Sequence, residues 1–174
     1  MAEATSTVIV IDDDPAIRES IGSLVRSVGL QAKLHASVDE FLAAGRPSGP
    51  ACLVLDVRLP GRSGLDFQRE LAGANIHIPI VFVTGYGDIL MSVMAMKGGA
   101  IEFLTKPFRD QDLLDAIQLG IARDRAGLED EKAIAGLRAR FESLTPRERE
   151  VMALVVACHS TRRSPTRSAL AKSR

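Results

Sequence analysis

Short apolar runs alternate along this chain with segments whose apolar residues recur at helical spacing. TVIVI (7–11) is followed by PAIRESIGSLVRSV, where Ile17, Ile21, Leu24, Val25 and Val28 share one helical face. Asp14 stands at the N-cap position, Pro15 at the favoured first helical position and Gly29 at the stop. QAKLH predicts a weaker strand. Ser37 and Glu40 then have the spacing of a capping box, opening a short helix through Phe41 and Leu42. After the loop RPSGP, ACLVLD (51–56) predicts a third strand, LPGRSG a turn and LDFQRELA a helix. IPIVFVT (78–84), DILMSVMAM and IEFLT (101–105) predict a fourth strand, a fourth helix and a fifth strand. DLLDAIQLGIA closes the series with Leu113, Leu114, Ile117 and Ile121 on one face. Met91, Met94 and Met96 are expected to fill the core beneath the fourth helix.

Strand and helix units with wholly apolar central strands argue for a parallel sheet covered on both faces. The fold class is α/β: a doubly wound, five-stranded, flavodoxin-like sheet over residues 1–122. From Arg123 the charge-laced RDRAGLEDEKAIAGLRARF carries Ile134, Leu137 and Phe141 at helical spacing, which predicts a helical linker over 123–143. LTPREREVMALVVA opens a further helix, with Thr145 as cap, Pro146 at the first position and Glu148 completing a capping box. Beyond Ala157 the apolar periodicity stops in the Ser/Arg-rich CHSTRRSPTRSALAKSR.

Composition narrows the function classes. A length of 174 residues excludes a large multi-domain enzyme, and 46% hydrophobic with 25% charged residues suits a chain with a real core. The 22 Lys and Arg cancel the 22 Asp and Glu, so no net field draws the whole chain to nucleic acid or an anionic membrane. The charge is segregated, however. Residues 151–174 hold five basic groups (Arg162, Arg163, Arg167, Lys172, Arg174) and no acid, leaving 17 basic against 22 acidic groups in residues 1–150. The start lacks the basic region of a signal peptide and no apolar run has the length of a membrane span, so a cytoplasmic protein without membrane contact is expected. Cys52 and Cys158 make no disulfide framework, and His35, His77 and His159 show no metal-ligand spacing.

In an open parallel sheet, ligands bind outside the carboxyl ends of the strands near the switch in strand order. The first strand delivers Asp12 and Asp13, the third Asp56, the fourth Thr84, and the fifth Lys106 followed by Pro107. Carboxylates that converge repel and raise one another's pKa, so such a cluster stays ionised only beside a cation. Oxygen ligands of this hardness suit Mg²⁺. Asp56 is then the candidate nucleophile, since a carboxylate can accept a phosphoryl group as an acyl phosphate. Lys106 and the Thr84 hydroxyl can contact phosphoryl oxygens and neutralise charge. Taken singly, each residue has a plainer reading: Asp12–Asp14 as helix caps, Asp56 as a turn residue, Thr84 as strand chemistry, Lys106 as a solvated loop lysine. Their joint position at one sheet edge favours the site.

IDDDPAIRESI, LVLDVRLPGRSGLDF, PIVFVTGYGD and AMKGGAIEFLTKPF, in this order, resemble the receiver domain of bacterial two-component response regulators over residues 5–122. The resemblance implies Asp56 as phospho-acceptor, and Asp12, Asp13 and Asp56 with the backbone carbonyl of Arg58 as Mg²⁺ ligands. It also implies Thr84 as switch hydroxyl, Lys106 as phosphate-sensing lysine and a cis peptide before Pro107. Phe103 stands at the switch aromatic position. LTPREREVMALVVA resembles the first helix of a LuxR-type helix-turn-helix, in the arrangement of FixJ-like regulators, and that second resemblance ends at Ala157. The implied function is phosphoryl acceptance from a sensor histidine kinase to control transcription, with homodimerisation through the fourth helix and fifth strand. Such a protein accepts phosphate and releases it by autodephosphorylation without being an enzyme in the ordinary sense.

Other classes fit less well. A flavin-binding fold needs a Ser/Thr/Gly loop after the first strand to receive phosphate, where this chain has three aspartates. A phosphatase of the haloacid dehalogenase type needs a second acid where Arg58 stands. The runner-up is a receiver without output, acting as a phosphate sink or dimerisation partner. It gains weight from the tail. One codon assignment of SPTRSALAKSR, read one base earlier, gives IADALGISEVT, and Thr161, Arg162 and Arg163 can yield Asn-Lys-Glu before it. NKEIADALGISEVT resembles the stretch that follows this first helix in LuxR-type domains. Residues 144–174 are therefore expected to be a truncated DNA-binding segment, frameshifted after about residue 157, which does not bind a promoter specifically.

Overall fold

The structure, a computed structural model, describes the backbone of residues 6–160 and the side chains of residues 6–155. In chain order the elements are β1 (Thr7–Ile11), α1 (Pro15–Ser27), β2 (Gln31–His35), α2 (Val38–Ala44), β3 (Ala51–Asp56), β4 (Arg58–Leu59), β5 (Arg62–Ser63), α3 (Gly64–Gly73), β6 (Ile80–Thr84), α4 (Ile89–Lys97), β7 (Glu102–Thr105), α5 (Asp110–Glu142) and α6 (Pro146–Ser160). Five strands form one parallel sheet in the order β2-β1-β3-β6-β7, the doubly wound arrangement that the apolar runs predict. The chain divides into two compact units, Met1–Asp130 and Glu131–Arg174.

The continuous apolar strands are explained by two cores, one on each sheet face. Alternate residues of β1, β3 and β6 (Ile9, Ile11, Leu53, Leu55, Ile80, Phe82) meet Phe41, Phe67, Leu71 and Ala95 of α2, α3 and α4. Their neighbours (Val8, Val10, Cys52, Val54, Val81, Val83) meet Ile21, Val25, Leu113, Ile117 and Ile121 of α1 and α5. Edge strand β2 lacks this double burial, consistent with its weaker apolar pattern. Burial pushes the Cys52 thiol up to about 12, so it packs as an apolar group.

Local signals operate as read. Asp14 accepts from the Ala16 and Ile17 N–H groups with Pro15 at the first position of α1. At α2 the Glu40 N–H donates to Ser37 Oγ at 3.2 Å, while the Glu40 carboxylate reaches one residue further back, to the Ala36 N–H at 2.7 Å. At α6 the box is reciprocal: Glu148 Oε2 accepts from the Thr145 N–H at 2.8 Å, and Thr145 Oγ1 accepts from the Glu148 N–H at 3.4 Å. Arg149 donates to the Glu142 carbonyl at 2.7 Å, with its guanidinium 5.6 Å from the Phe141 ring centre.

Four expectations change. LPGRSG is a two-strand hairpin rather than a simple turn: Arg58 pairs with Ser63 and Leu59 with Arg62, closed by Gly61 at φ 76°. The fourth strand begins at Ile80, not Ile78, because Pro79 has no N–H for a ladder, although its carbonyl still accepts the Leu53 N–H. The residues from Asp110 to Glu142 form one continuous helix, with neither a proline nor a cap between the last core-facing residues and the charge-laced stretch. Of the three methionines only Met91 packs against the core, while Met94 and Met96 stand exposed with Ile89, Leu90 and Val93. α4 is apolar on nearly every side, so periodicity held no information about which side faces inward. The tail from Thr161 onward, where the shifted reading falls, lies outside the described residues.

Asp124 of α5 has no counterpart in the sequence reading. Its buried carboxylate takes two hydrogen bonds from Arg46 Nη2, at 2.8 and 2.9 Å, and the Ala51 N–H at 2.8 Å, while Arg46 Nη1 donates to the His77 carbonyl at 2.6 Å. The cluster ties α5 to the start of β3 and to the loops before β3 and β6. Asp124→Ala leaves the Ala51 N–H and the Arg46 guanidinium without their acceptor, and is expected to cost about 3 kcal/mol in urea unfolding. Loss below about 0.5 kcal/mol, the range of ordinary surface substitutions, would show the pair to be incidental.

Candidate functional site

Strand order brings the carboxylate-bearing ends together. β1 and β3 are neighbours where the order reverses, and Ile11 pairs with Leu55, so Asp12 and Asp56 emerge at one level on adjacent strands. On β6, Val83 lies opposite Asp56 and Thr84 follows. On β7, Lys106 follows the Thr105 that pairs with Thr84, and its N–H donates to the Thr84 carbonyl at 2.8 Å.

The side chains converge accordingly. Lys106 Nζ donates to Asp12 Oδ2 at 2.7 Å and to Asp56 Oδ2 at 3.0 Å. Asp12 Oδ1 accepts the Asp14 N–H and Asp56 Oδ1 the Arg58 N–H, both at 2.9 Å. One carboxylate oxygen from each of Asp12, Asp13 and Asp56 lies within 4.8 Å of the other two; Asp12 and Asp56 are buried and Asp13 is exposed. Burial raises the Asp12 carboxyl above its ordinary range, against the pull of the Lys106 and Asp14 hydrogen bonds, and the Asp56 charge adds to the rise. Burial also works against the Lys106 ammonium, but the hydrogen bonds to Asp12 and Asp56 outweigh it and lift the pKa above the usual lysine value. Two carboxylates thus share one ammonium, and a third stands within 4.8 Å of them. The unbalanced charge and the hard oxygen donors fit a divalent cation such as Mg²⁺.

Asp12, Asp13, Asp56 and Lys106 are brought together. Thr84 is buried at the same edge, but its Oγ1 accepts the Tyr86 N–H at 3.3 Å. Phe103 lies beneath, half-buried against Phe82 with ring centres 6.2 Å apart. The loop after β6 runs tightly over it: a Cβ on Gly87 would come within 2.9 Å of Phe103 Cε1 and 2.6 Å of Thr105 Cγ2. The Lys106–Pro107 peptide is cis, as the resemblance implies. Gly64 packs its Cα face against the Asp56 carbonyl, leaving no room for a side chain.

Two residues escape the sequence reading. Tyr86 lies under the Arg58 guanidinium, 4.3 Å from ring centre to Cζ, bridging the loops after β3 and β6. Arg18 donates from Nη1 to the Asp12 backbone carbonyl at 2.6 Å. The signal for Arg18 is its place one helical turn after the capping Asp14; nothing local marks the Tyr86 contact.

A doubly wound five-stranded sheet with clustered carboxylates and a lysine at its switch point has the architecture of a receiver. Residues 8–118 match the response regulator receiver domain family, and the chain belongs to it. Among relatives, Nodulation protein W of Bradyrhizobium diazoefficiens is 54% identical over 154 residues, covering 88% of this chain and 68% of that protein. The transcriptional regulatory protein FixJ of Azorhizobium caulinodans is 41% identical over 147 residues, covering 84% and 70%. Among solved structures, the response regulator StyR superposes with a TM-score of 0.82 at 44% identity, covering 88% of this chain and 78% of that one. The chain is accordingly a response regulator of the two-component kind.

The crowding of carboxylates makes a prediction that needs no phosphate. Asp13→Asn removes one negative charge from the cluster, so in chelator-treated buffer it is expected to raise the melting temperature. Added Mg²⁺ should stabilise the wild type and leave the variant unchanged. A variant that melts lower without metal would contradict the repulsion.

Proposed function

We propose that Asp56 accepts a phosphoryl group from the phosphohistidine of a sensor histidine kinase, and that the resulting charge switches the receiver toward transcriptional output. The observation that carries this reading is the shared hold of Lys106 on Asp12 and Asp56 beside the exposed Asp13. An oxygen of Asp56 attacks phosphorus; the P–O bond forms as the P–N bond breaks, and the departing imidazole keeps the bonding pair and takes a proton from solvent. Asp12, Asp13 and Asp56, with the Arg58 backbone carbonyl, would hold Mg²⁺, which neutralises charge on the phosphoryl oxygens. Lys106 keeps a phosphoryl-facing ammonium, and burial of Asp12 and Asp56 limits competing water.

Thr84 is the proposed switch hydroxyl. Turning toward a phosphoryl oxygen, it gives up its bond from the Tyr86 N–H, and Phe103 adjusts beneath the tight Gly87 loop. The exposed apolar side chains of α4 (Ile89, Leu90, Val93, Met94, Met96), beside β7, support phosphorylation-dependent homodimerisation through this face. In this reading the chain comprises a receiver over 1–122, a helical linker over 123–143 and a LuxR-type segment over 144–174, in a cytoplasmic protein. Val151 and Leu154 of α6 are exposed among the described residues, an apolar pair of the kind that packs inside a helix-turn-helix.

Acetyl phosphate with Mg²⁺ should label the protein once, at Asp56, and chelation should abolish the label. Undiminished labelling of Asp56→Asn would overturn the assignment. In analytical ultracentrifugation the phosphorylated chain should sediment as a dimer, and an unchanged monomer after full labelling would remove the α4 face from the reading.

A further inference from the structure

We propose that Arg18 is a positioning residue for the acidic turn after β1, holding the Asp12–Asp13 peptide so that the Asp13 carboxylate faces the cation site. The inference rests on the reading of Asp12, Asp13 and Asp56 as the Mg²⁺ ligands. The β1 ladders end at Ile11, so Asp12 lies past the last strand pair while only 2% exposed. Its N–H still donates to the His35 carbonyl at 3.3 Å, but no strand offers a donor to its own carbonyl. A buried carbonyl must find one. Arg18 provides it at 2.6 Å from α1, whose first turn is fixed by the Asp14 cap and whose Arg18 N–H donates to the Asp14 carbonyl at 3.0 Å.

The carbonyl so held belongs to the peptide joining two of the three clustered carboxylates. Asp12 would keep its direction without help, because Lys106 and the Asp14 N–H each bind its side chain. Asp13 differs: among the described residues its exposed carboxylate takes part in no hydrogen bond or ion pair. Its direction therefore follows the plane of the peptide before it, and that plane is fixed by Arg18. Partners behind a ligand that set its orientation typically matter for metal affinity by about tenfold or more. The guanidinium also carries a positive charge near the cation site, and charge alone would weaken binding. Orientation and charge thus predict opposite signs on removal, which makes the proposal testable.

The experiment titrates Mg²⁺ into the full metal-free chain and follows backbone amide shifts at residues 12–14 and 56–58, for the wild type, Arg18→Ala, Arg18→Gln and Arg18→Lys. Arg18→Ala is expected to bind Mg²⁺ about tenfold more weakly. Arg18→Gln, which keeps a donor without the charge, and Arg18→Lys, which keeps both, should recover most of the loss. Asp56 labelling by acetyl phosphate should return to the wild-type extent when Mg²⁺ saturates Arg18→Ala, which separates positioning from general damage to the fold. Unchanged affinity, or tighter binding by both Ala and Gln variants, would overturn the positioning role. A wild type whose amides at these residues ignore Mg²⁺ would instead overturn the ligand assignment on which the proposal rests.

Discussion

Two buried carboxylates on adjacent strands repel each other, and the rest of this structure is arranged around the ammonium that holds them. Lys106 lies 2.7 Å from Asp12 and 3.0 Å from Asp56, yet it comes from the far edge of the sheet, two strands beyond β3. It reaches them only because β6 and β7 continue the parallel register and the Lys106 N–H is pinned to the Thr84 carbonyl. Desolvation makes the arrangement costly, since burial opposes charge on both partners. A fold selected for stability alone would have little use for it. A fold that must respond to one added phosphoryl group gains from a cluster whose charge balance that group upsets.

The route from this cluster to the outer surface is short. Thr84 is bonded to its own loop through the Tyr86 N–H, and that loop passes over Phe103 with no room for a side chain at Gly87. In the proposed switch, a turn of the hydroxyl is felt at once by the loop and by the ring beneath it. Moving a receiver from one part active in a hundred to nearly all active needs about 5.5 kcal/mol, which a few charge-assisted hydrogen bonds at ~1.5 to 3 kcal/mol each can supply. The helix next in line, α4, is suited to respond: it keeps Ala95 buried but exposes Ile89 and Leu90 at 85% and 69%. Its inner end is held by Gln68, whose amide donates to the Ala95 carbonyl at 3.1 Å.

Much of this was legible in the chain, for identifiable reasons. Fully buried strands write continuous apolar runs, so β1, β3 and β6 were plain, and strand ends at a switch point write their chemistry at a fixed place, so Asp12, Asp56, Thr84 and Lys106 could be read together. The hairpin at Arg58–Ser63 was hidden because strands of two residues carry no period. The inner face of α4 was hidden because nearly all its residues are apolar. Arg46 and Asp124 were hidden for another reason: they are 78 positions apart, and an ion pair across that separation leaves no local mark.

The hidden pair bears on the visible site. β3 carries the candidate acceptor at its carboxyl end and is tied at its amino end by Asp124 through the Ala51 N–H. Between these ends every residue from Ala51 to Leu55 is buried, with β1 paired along Ala51–Leu55 and β6 along Leu53–Asp56. β3 therefore cannot shift along its length without breaking two ladders and a buried charge cluster. Charge added at Asp56 finds a rigid strand beneath it and a solvent-exposed loop beside it, the one spanning Gly85–Asp88, all four residues of which are exposed. Under the proposed chemistry the response must go sideways, into the loop and α4, because the strand offers it no other path.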